Sequence, residues 1–414
     1  MQGRWGLVYA GERWWGGPGR AEPEPLVNQL LDAVDRIGPV RAFSGLTWNA
    51  RLTHDIPDNL TVLSYGGLGV LRKLSRNGRL DVVPCHYSAL PRMFALGQLP
   101  NDVGMIQVSP PDADGMVTLG VGVDYVADAV QHTRVLLAEI NHRMPRTIGG
   151  PRLPLSRFAA VIETDRPLRA SPSRPGDDVD MRIAENVASI IDDGATIQIG
   201  VGTLPSAVLA ALAGHHDLGF HSGMITDGVL DLMEKGAITN AKKEIDPGVA
   251  VTGAALCSGD GYYRLREFPI VFRPASYTHA PAVLSHLKSL VSINSAIEVD
   301  LLGQVGAELA GHVHIGAVGG QVDFSRAASL TGARSIIALR STRGTGDTTE
   351  STIVPRLSGG VVTTARVDVD AVVTEHGVAM LTGCTVAERA ARLIKIAAPE
   401  HREALEKALA EQEV

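Results

Sequence analysis

A chain of 414 residues, 45% hydrophobic and 20% charged, has material for two domains with sizeable cores. A net charge of −7 with no basic run argues against nucleic acid and anionic membrane as partners, and no stretch approaches the ~18 apolar residues a membrane helix needs. Cys85, Cys257 and Cys384 lie too far apart for a metal spacing or a disulfide framework, and the N-terminus has no apolar signal core. A soluble cytoplasmic protein without a metal site is expected.

Aromatic residues are scarce (4%) and glycine abundant (45 residues), as in an α/β protein with many tight turns. Residues 1–24 read as an N-terminal arm whose Trp5, Trp14 and Trp15 would pack on another surface. An amphipathic helix over 25–37 opens a first α/β domain, 25–165. Strands are predicted at 39–43, 61–64 and 80–83, with a helix over 69–77. The segment from Val82 to Ser88 ends a strand in polar groups, where open α/β sheets hold ligands. Residues 105–141 read strand, turn, strand, helix, strand, with the turn at Asp112-Ala113-Asp114-Gly115 and with Glu139 and Asn141 at the end of the last strand.

Pro, Arg, Ser and Asp without periodicity mark a linker over 166–179. The second domain, 180–414, starts with a helix over 180–192 and reaches the stretch around which the chain is organised, DGATIQIGVGTLPSAVLAALAGHHDLGFHSGMITDG (193–228). A buried strand, 195–199, runs into Gly200-Val201-Gly202, and a helix opens near Pro205. A strand feeding a glycine turn at a helix start aims free N–H groups at one point, which suits a phosphate or a thioester oxygen. A second turn is expected at His221-Ser222-Gly223-Met224, where another strand should end. Further strands at 248–255, 290–293, 296–300, 335–339 and 371–374 and helices at 226–235, 385–397 and 400–412 complete a mixed α/β chain.

Several long motifs in fixed order carry a resemblance from about Val82 to Leu405. They include VPCHYSALPRMF, QVSPPDADGMVTLGVGVDY, AEINHRMPRTIG, DGATIQIGVGTLPSAV, HSGMITDGVLDLMEKGAITN, SINSAIEVDLLGQV and GGQVDFSRAA. The chain resembles the acetyl-CoA hydrolase/transferase family, within it the 4-hydroxybutyrate and butyrate–acetate CoA-transferases. The resemblance implies two open α/β domains of the class I CoA-transferase type, with an active site in the interdomain cleft, and a homodimer. It implies coenzyme A as part of an acyl-CoA substrate and a carboxylate acceptor. In the family a glutamate attacks the thioester and carries CoA covalently. Gly200, Val201, Gly202, Thr203 and Leu204 would serve the oxyanion and pantetheine arm, together with Gly319, Gly320 and Gln321. His86, Glu139 and Asn141 would line the acyl pocket.

The family nucleophile belongs in a His-Ser-Glu-Met-like turn, and here that position is Gly223. A glycine has no carboxylate. The run before Gly319-Gly320-Gln321 is also less glycine-rich than usual, and Ser351-Thr352-Ile353-Val354-Pro355 stands where Ser-Arg-Ile-Val-Pro is usual. Glu298, in a segment the family places near the CoA arm, would act as a base on water, or be a buried acid bonded to backbone. His221 is the second candidate base, or a structural histidine. The readings that stand are an acyl-CoA-processing enzyme of the transferase kind, a CoA-ester hydrolase or C–C bond hydrolase/lyase using water, and a CoA-ester-binding pseudoenzyme or silent subunit. A sugar-phosphate isomerase or regulator on the broader fold fits the motifs poorly. A Rossmann dinucleotide enzyme fits worse, since the glycine loop lacks its third glycine.

Overall fold

The computed structural model describes residues 11–53, 56–170, 175–344 and 349–411; Trp5 and residues 171–174 of the expected linker fall outside them. The chain forms two compact units: Met1–Ser171 with Val251–Ala280 and Val313–Gly319, and Pro172–Ala250 with Pro281–His312 and Gly320–Val414.

In the first unit Trp14 and Trp15 do not belong to an arm. They occupy the strand Arg13–Gly16, which pairs in parallel with Val40–Ser44 on one side and Val103–Val108 on the other. Outward from these lie Leu60–Ser64 and Leu80–Val82 on one flank, Val135–Asn141 and Ala160–Thr164 on the other, making a seven-stranded parallel sheet. Successive strand residues face opposite sides. Trp14 therefore packs with Val27, Leu30, Leu31 and Val34 of the helix Glu24–Ile37. Trp15 faces the other way, 5.8 Å from Phe94, with its indole N–H on the Thr133 hydroxyl at 2.9 Å. Neither ring is exposed, and each removes roughly 200 Å² from water, on the order of 5 kcal/mol of transfer free energy. A surface arm would forgo that.

The second unit repeats the plan. Strand Thr196–Ile199 lies between Gly219–Ile225 and Leu290–Ser295, all parallel, and the sheet continues through Arg334–Ala338 and Ala371–Thr374 to the antiparallel Gly377–Met380. Helix Asp178–Ala188 begins two residues before the expected start, because Asp177 and Asp180 form a capping box. It also stops earlier than expected. Helix Thr203–Ala211 makes Pro205 its third residue rather than its first. The position is harmless, because the third N–H of a helix has no intrahelical acceptor. The expected turn at 221–224 is absent: those residues are extended inside Gly219–Ile225.

A contiguous 180–414 domain was expected, yet two of its segments group with the first unit. Val123 N–H bonds the Gly253 carbonyl (3.1 Å), Ala255 N–H bonds Val121 (2.9 Å), and Phe272 N–H bonds Ile148 (2.7 Å). The segment Val313–Gly319 is seated by Gly67 N–H on the Gly316 carbonyl (3.0 Å), Ser75 Oγ on His314 N–H (3.1 Å) and Tyr87 N–H on the Gly319 carbonyl (2.9 Å). A Cβ on Gly67 would stand 2.0 Å from the His314 carbonyl oxygen, so only glycine lets the two backbones meet there. Such pairings join residues distant in sequence and leave no periodicity.

Gly67→Ala is expected to destabilise the protein by about 1–3 kcal/mol through backbone overpacking. Gly214→Ala, where a Cβ meets nothing within 4 Å, is expected to leave the denaturant midpoint unchanged or slightly raised. Equal midpoints for the two variants would contradict this account of Gly67.

Candidate active site

In each unit the first strand of the sheet lies between neighbours reached in opposite directions, and open α/β sheets bind ligands at the carboxyl ends of such strands. In the second unit that place is Gly200-Val201-Gly202. Thr196 pairs with Gly219 and Ile197 with Phe220; carried forward, this register sets Ile199 beside Ser222 and Gly200 beside Gly223. The Ser222 hydroxyl donates to the Ile199 carbonyl at 3.2 Å, as that register requires. On the other side Gly200 N–H bonds the Ile293 carbonyl at 3.3 Å. Val201 and Gly202 are exposed, Gly202 has φ 132°, and the helix beginning at Thr203 directs its first N–H groups, those of Thr203 and Leu204, past the loop. The expected oxyanion segment and position 223 are thus brought side by side.

Beneath the loop lies a buried polar cluster that the sequence reading missed. Gln198 Oε1 accepts the Ser292 hydroxyl (2.8 Å) and Asn294 Nδ2 (3.1 Å), and Asn294 Nδ2 also reaches Ser292 Oγ (2.9 Å). The signal was present as polar residues inside two otherwise apolar strands, TIQI and LVSINS. Lys243 was missed with no signal at all. Its Nζ donates to the Phe220 (3.1 Å) and Val249 (2.7 Å) carbonyls, and burial pushes its pKa down to about 8. It braces the strand that carries His221.

His221 itself is fully buried, on the same strand face as Gly223. Glu298, 2% exposed, opens the short strand Glu298–Asp300. One of its oxygens accepts Ser358 N–H at 2.5 Å, the Ser358 hydroxyl lies 3.0 and 2.8 Å from the two oxygens, and Arg343 Nη1 stands 3.6 Å away. Ser358 thus fixes both oxygens of Glu298, and burial leaves the carboxyl little access to water. Gln321 donates to Thr364 Oγ1 (3.0 Å) at the start of helix Gln321–Thr331, and Gly320 is that helix's N-cap.

In the first unit the expected pocket residues divide. His86 is exposed and pairs through its backbone with Gly319, so two segments expected to meet substrate do meet. Glu139 and Asn141 differ from expectation: neither has exposed surface. Glu139 takes Arg166 Nε (2.6 Å) and Nη2 (2.9 Å), the Thr164 hydroxyl (2.7 Å) and Gln107 Nε2 (3.2 Å). Asn141 bonds Gln107 Oε1 (3.3 Å), the Arg166 carbonyl (2.9 Å) and the N–H groups of Arg143 (3.0 Å) and Arg166 (3.3 Å). Their hydrogen-bonding capacity is spent inside the unit, and they tie its last strands together instead of facing a ligand.

Near the carboxyl end of Arg13–Gly16 sit two carboxyls that the sequence reading did not single out. Burial pushes Asp124 up to about 7, against the N–H groups of Val126 and Tyr125 and the Tyr87 hydroxyl. Burial likewise lifts Glu22 to about 7, against the Thr47 hydroxyl (2.5 Å) and Trp48 N–H (3.2 Å).

A model of the acetyl-CoA hydrolase/transferase N-terminal domain matches residues 49–167, and one of the C-terminal domain matches 264–409. The chain is 43% identical over 341 residues to 4-hydroxybutyrate coenzyme A transferase of Clostridium kluyveri, covering 81% of this chain and 79% of that protein. The structure of RipA from Yersinia pestis superposes with a TM-score of 0.91 at 33% identity, covering 98% of this chain and 94% of that one. A 4-hydroxybutyrate CoA-transferase from Porphyromonas gingivalis gives 0.81 at 34%, covering 98% and 95%. The fold is the α/β fold of these two solved structures, one of them a 4-hydroxybutyrate CoA-transferase. The chain belongs to the acetyl-CoA hydrolase/transferase family.

The raised carboxyls make stability depend on pH in a definite direction. Folded, each holds a proton that the unfolded chain has already released, so its contribution is complete below about pH 4 and is lost as pH rises through about 7. Between about pH 4 and pH 7, Asp124→Asn and Glu22→Gln are each expected to flatten the fall in stability, by up to about 1.4 kcal/mol per pH unit. Denaturant midpoints across that range check this; variants that track the native slope would refute it.

Proposed function

We propose that this chain is an enzyme that processes an acyl-CoA thioester, held with its carbonyl oxygen toward Gly200-Val201-Gly202 and the N–H groups of Thr203 and Leu204, and that its acyl acceptor is water. The observation that carries the reading is Gly223. Position 223 lies level with the glycine loop, where the family resemblance puts the nucleophilic carboxylate. It is extended strand, so the backbone does not ask for glycine. What differs there is side-chain space and the loss of a nucleophile. With water as acceptor, its oxygen forms a new bond to the acyl carbon and a base takes its proton. The C–S bond then breaks and the CoA thiolate leaves to be protonated, yielding a free carboxylic acid.

The relatives named as transferases support CoA esters as the substrate class, and 4-hydroxybutyrate and related short acyl groups are the first to try. Coenzyme A enters as part of the substrate. A second reading, a CoA-ester-binding protein without turnover, is favoured by the enclosure of both candidate bases: His221 has no exposed surface and both oxygens of Glu298 are engaged by Ser358.

The test is turnover of an acyl-CoA panel in oxygen-18 water with and without acetate. The expected result is label in the freed acid at a rate independent of acetate, and Gly223→Glu is expected to introduce acetate-dependent formation of acetyl-CoA. CoA transfer to acetate by the native protein would overturn water as acceptor, and silence with retained binding would establish the second reading. Thr203→Pro removes one N–H at a position where proline suits a helix, and is expected to lower kcat by about 10²–10³ with the thermal midpoint little changed.

A further inference from the structure

Tyr87 follows His86 and is fastened at both ends. Its N–H donates to the Gly319 carbonyl at 2.9 Å, beside the backbone pairing of His86 with Gly319. Its hydroxyl hydrogen-bonds the Asp124 carboxyl. Its ring lies 4.6 Å from that of His279 at 38° and edge-on to Tyr65 (5.6 Å) and Tyr125 (6.0 Å). These partners are themselves fixed. Asp124 is 5% exposed and takes Val126 N–H at 3.2 Å, and His279 Nδ1 bonds Thr278 Oγ1 at 2.8 Å. The hydroxyls of Tyr125 and Tyr65 receive the N–H groups of Gly45 and Leu46, at the end of strand Val40–Ser44.

Packing alone does not call for an acid here. A carboxyl buried beside tyrosine rings loses much of its hydration, and a leucine would fill similar space without that loss. Besides accepting the N–H groups of Val126 and Tyr125 at the start of helix Asp124–Ala129, the carboxyl makes a directional bond to one side-chain hydroxyl, and that hydroxyl belongs to the residue whose main chain joins two segments expected to meet substrate.

We propose that Tyr87, held by Asp124, is the positioning residue that sets His86 and the Gly319-Gly320 turn toward the thioester substrate. The proposal rests on the acyl-CoA reading above. Tyr87 does not touch the reacting atoms; it acts through His86 and Gly319, and Asp124 supplies the fixed point against which both are aligned.

Tyr87→Phe keeps the ring contacts and removes only the bond. Two readouts separate positioning from packing: the affinity of the full chain for butyryl-CoA and acetyl-CoA by calorimetry, and amide hydrogen exchange over 83–88 and 313–321. Tyr87→Phe and Asp124→Leu are each expected to weaken binding about tenfold and to speed exchange in both segments, with exchange in strand Arg13–Gly16 unchanged. Asp124→Asn keeps an oxygen acceptor and is expected to stay within about twofold of native affinity. The double variant Tyr87→Phe/Asp124→Leu is expected to bind no worse than either single one. Native affinity in Tyr87→Phe, or unchanged exchange in the two segments, overturns the positioning role and leaves the acyl-CoA reading intact. A native protein that binds neither ester removes that reading and the proposal with it.

Discussion

The register of strand Thr196–Ile199 governs what the second unit can do. Its residues are locked by parallel pairing on both sides, to Gly219–Phe220 and to Leu290–Ile293. A slip of one residue would turn Ile197 and Ile199 to the wrong face and move Gly200 away from Gly223. The glycine loop stands where it does because the strand beneath it has no freedom to slide. The buried Gln198–Ser292–Asn294 cluster reinforces this, since its hydrogen bonds close in one register only. Lys243 adds a third restraint by bonding the Phe220 carbonyl from the flank.

The first unit meets the same need with aromatic packing. Trp14 and Trp15 commit the two faces of the strand Arg13–Gly16 to different cores, one aliphatic and one built from Phe43, Phe94 and Tyr125. The strand's start is pinned by Arg13, whose guanidinium and backbone N–H both bond Asp102 (3.1 and 2.9 Å). The hydroxyls of Tyr65 and Tyr125 take N–H groups of the loop after Val40–Ser44. One face supplies stability, and the other carries oriented polar groups to the carboxyl end of the sheet.

Much of this was legible in the sequence because local signals and tertiary demands agreed. The run from Met105 to Asn141 reads in the correct order, since each apolar strand is separated by turn residues such as Asp112 and Gly115. Gly200-Val201-Gly202 was legible because a strand, a glycine pair and a proline in the first turn of a helix stand together. Trp14 and Trp15 misled because a four-residue strand is too short to show a period, and tryptophans near a terminus look like a loose arm. His221–Met224 misled because His, Ser and Gly carry turn propensity that burial between neighbouring strands overrides. Glu139 and Asn141 sat at a strand's end, where ligands are met, and nothing local revealed that Arg166 and Gln107 would absorb them. The seating of Val313–Gly319 is a long-range backbone contact that only Gly66 and Gly67 hint at.

Gly223 is informative because the scaffold around it is otherwise intact. Glycine within a strand is less stable than alanine by roughly 0.5–1 kcal/mol, and this strand has the extended backbone that any residue adopts. The backbone conformation gives no reason for it. The neighbouring positions do retain a reason: Ser222 still closes on Ile199, His221 remains buried, and Gly200 still bonds Ile293. Loss of function by drift would be expected to loosen such contacts together, since each depends on the same register. In the mechanism that the family resemblance implies, a carboxylate at this position attacks the thioester and then carries CoA covalently. On the proposed reading, the glycine loop polarises the thioester and water, not a side chain, attacks the acyl carbon.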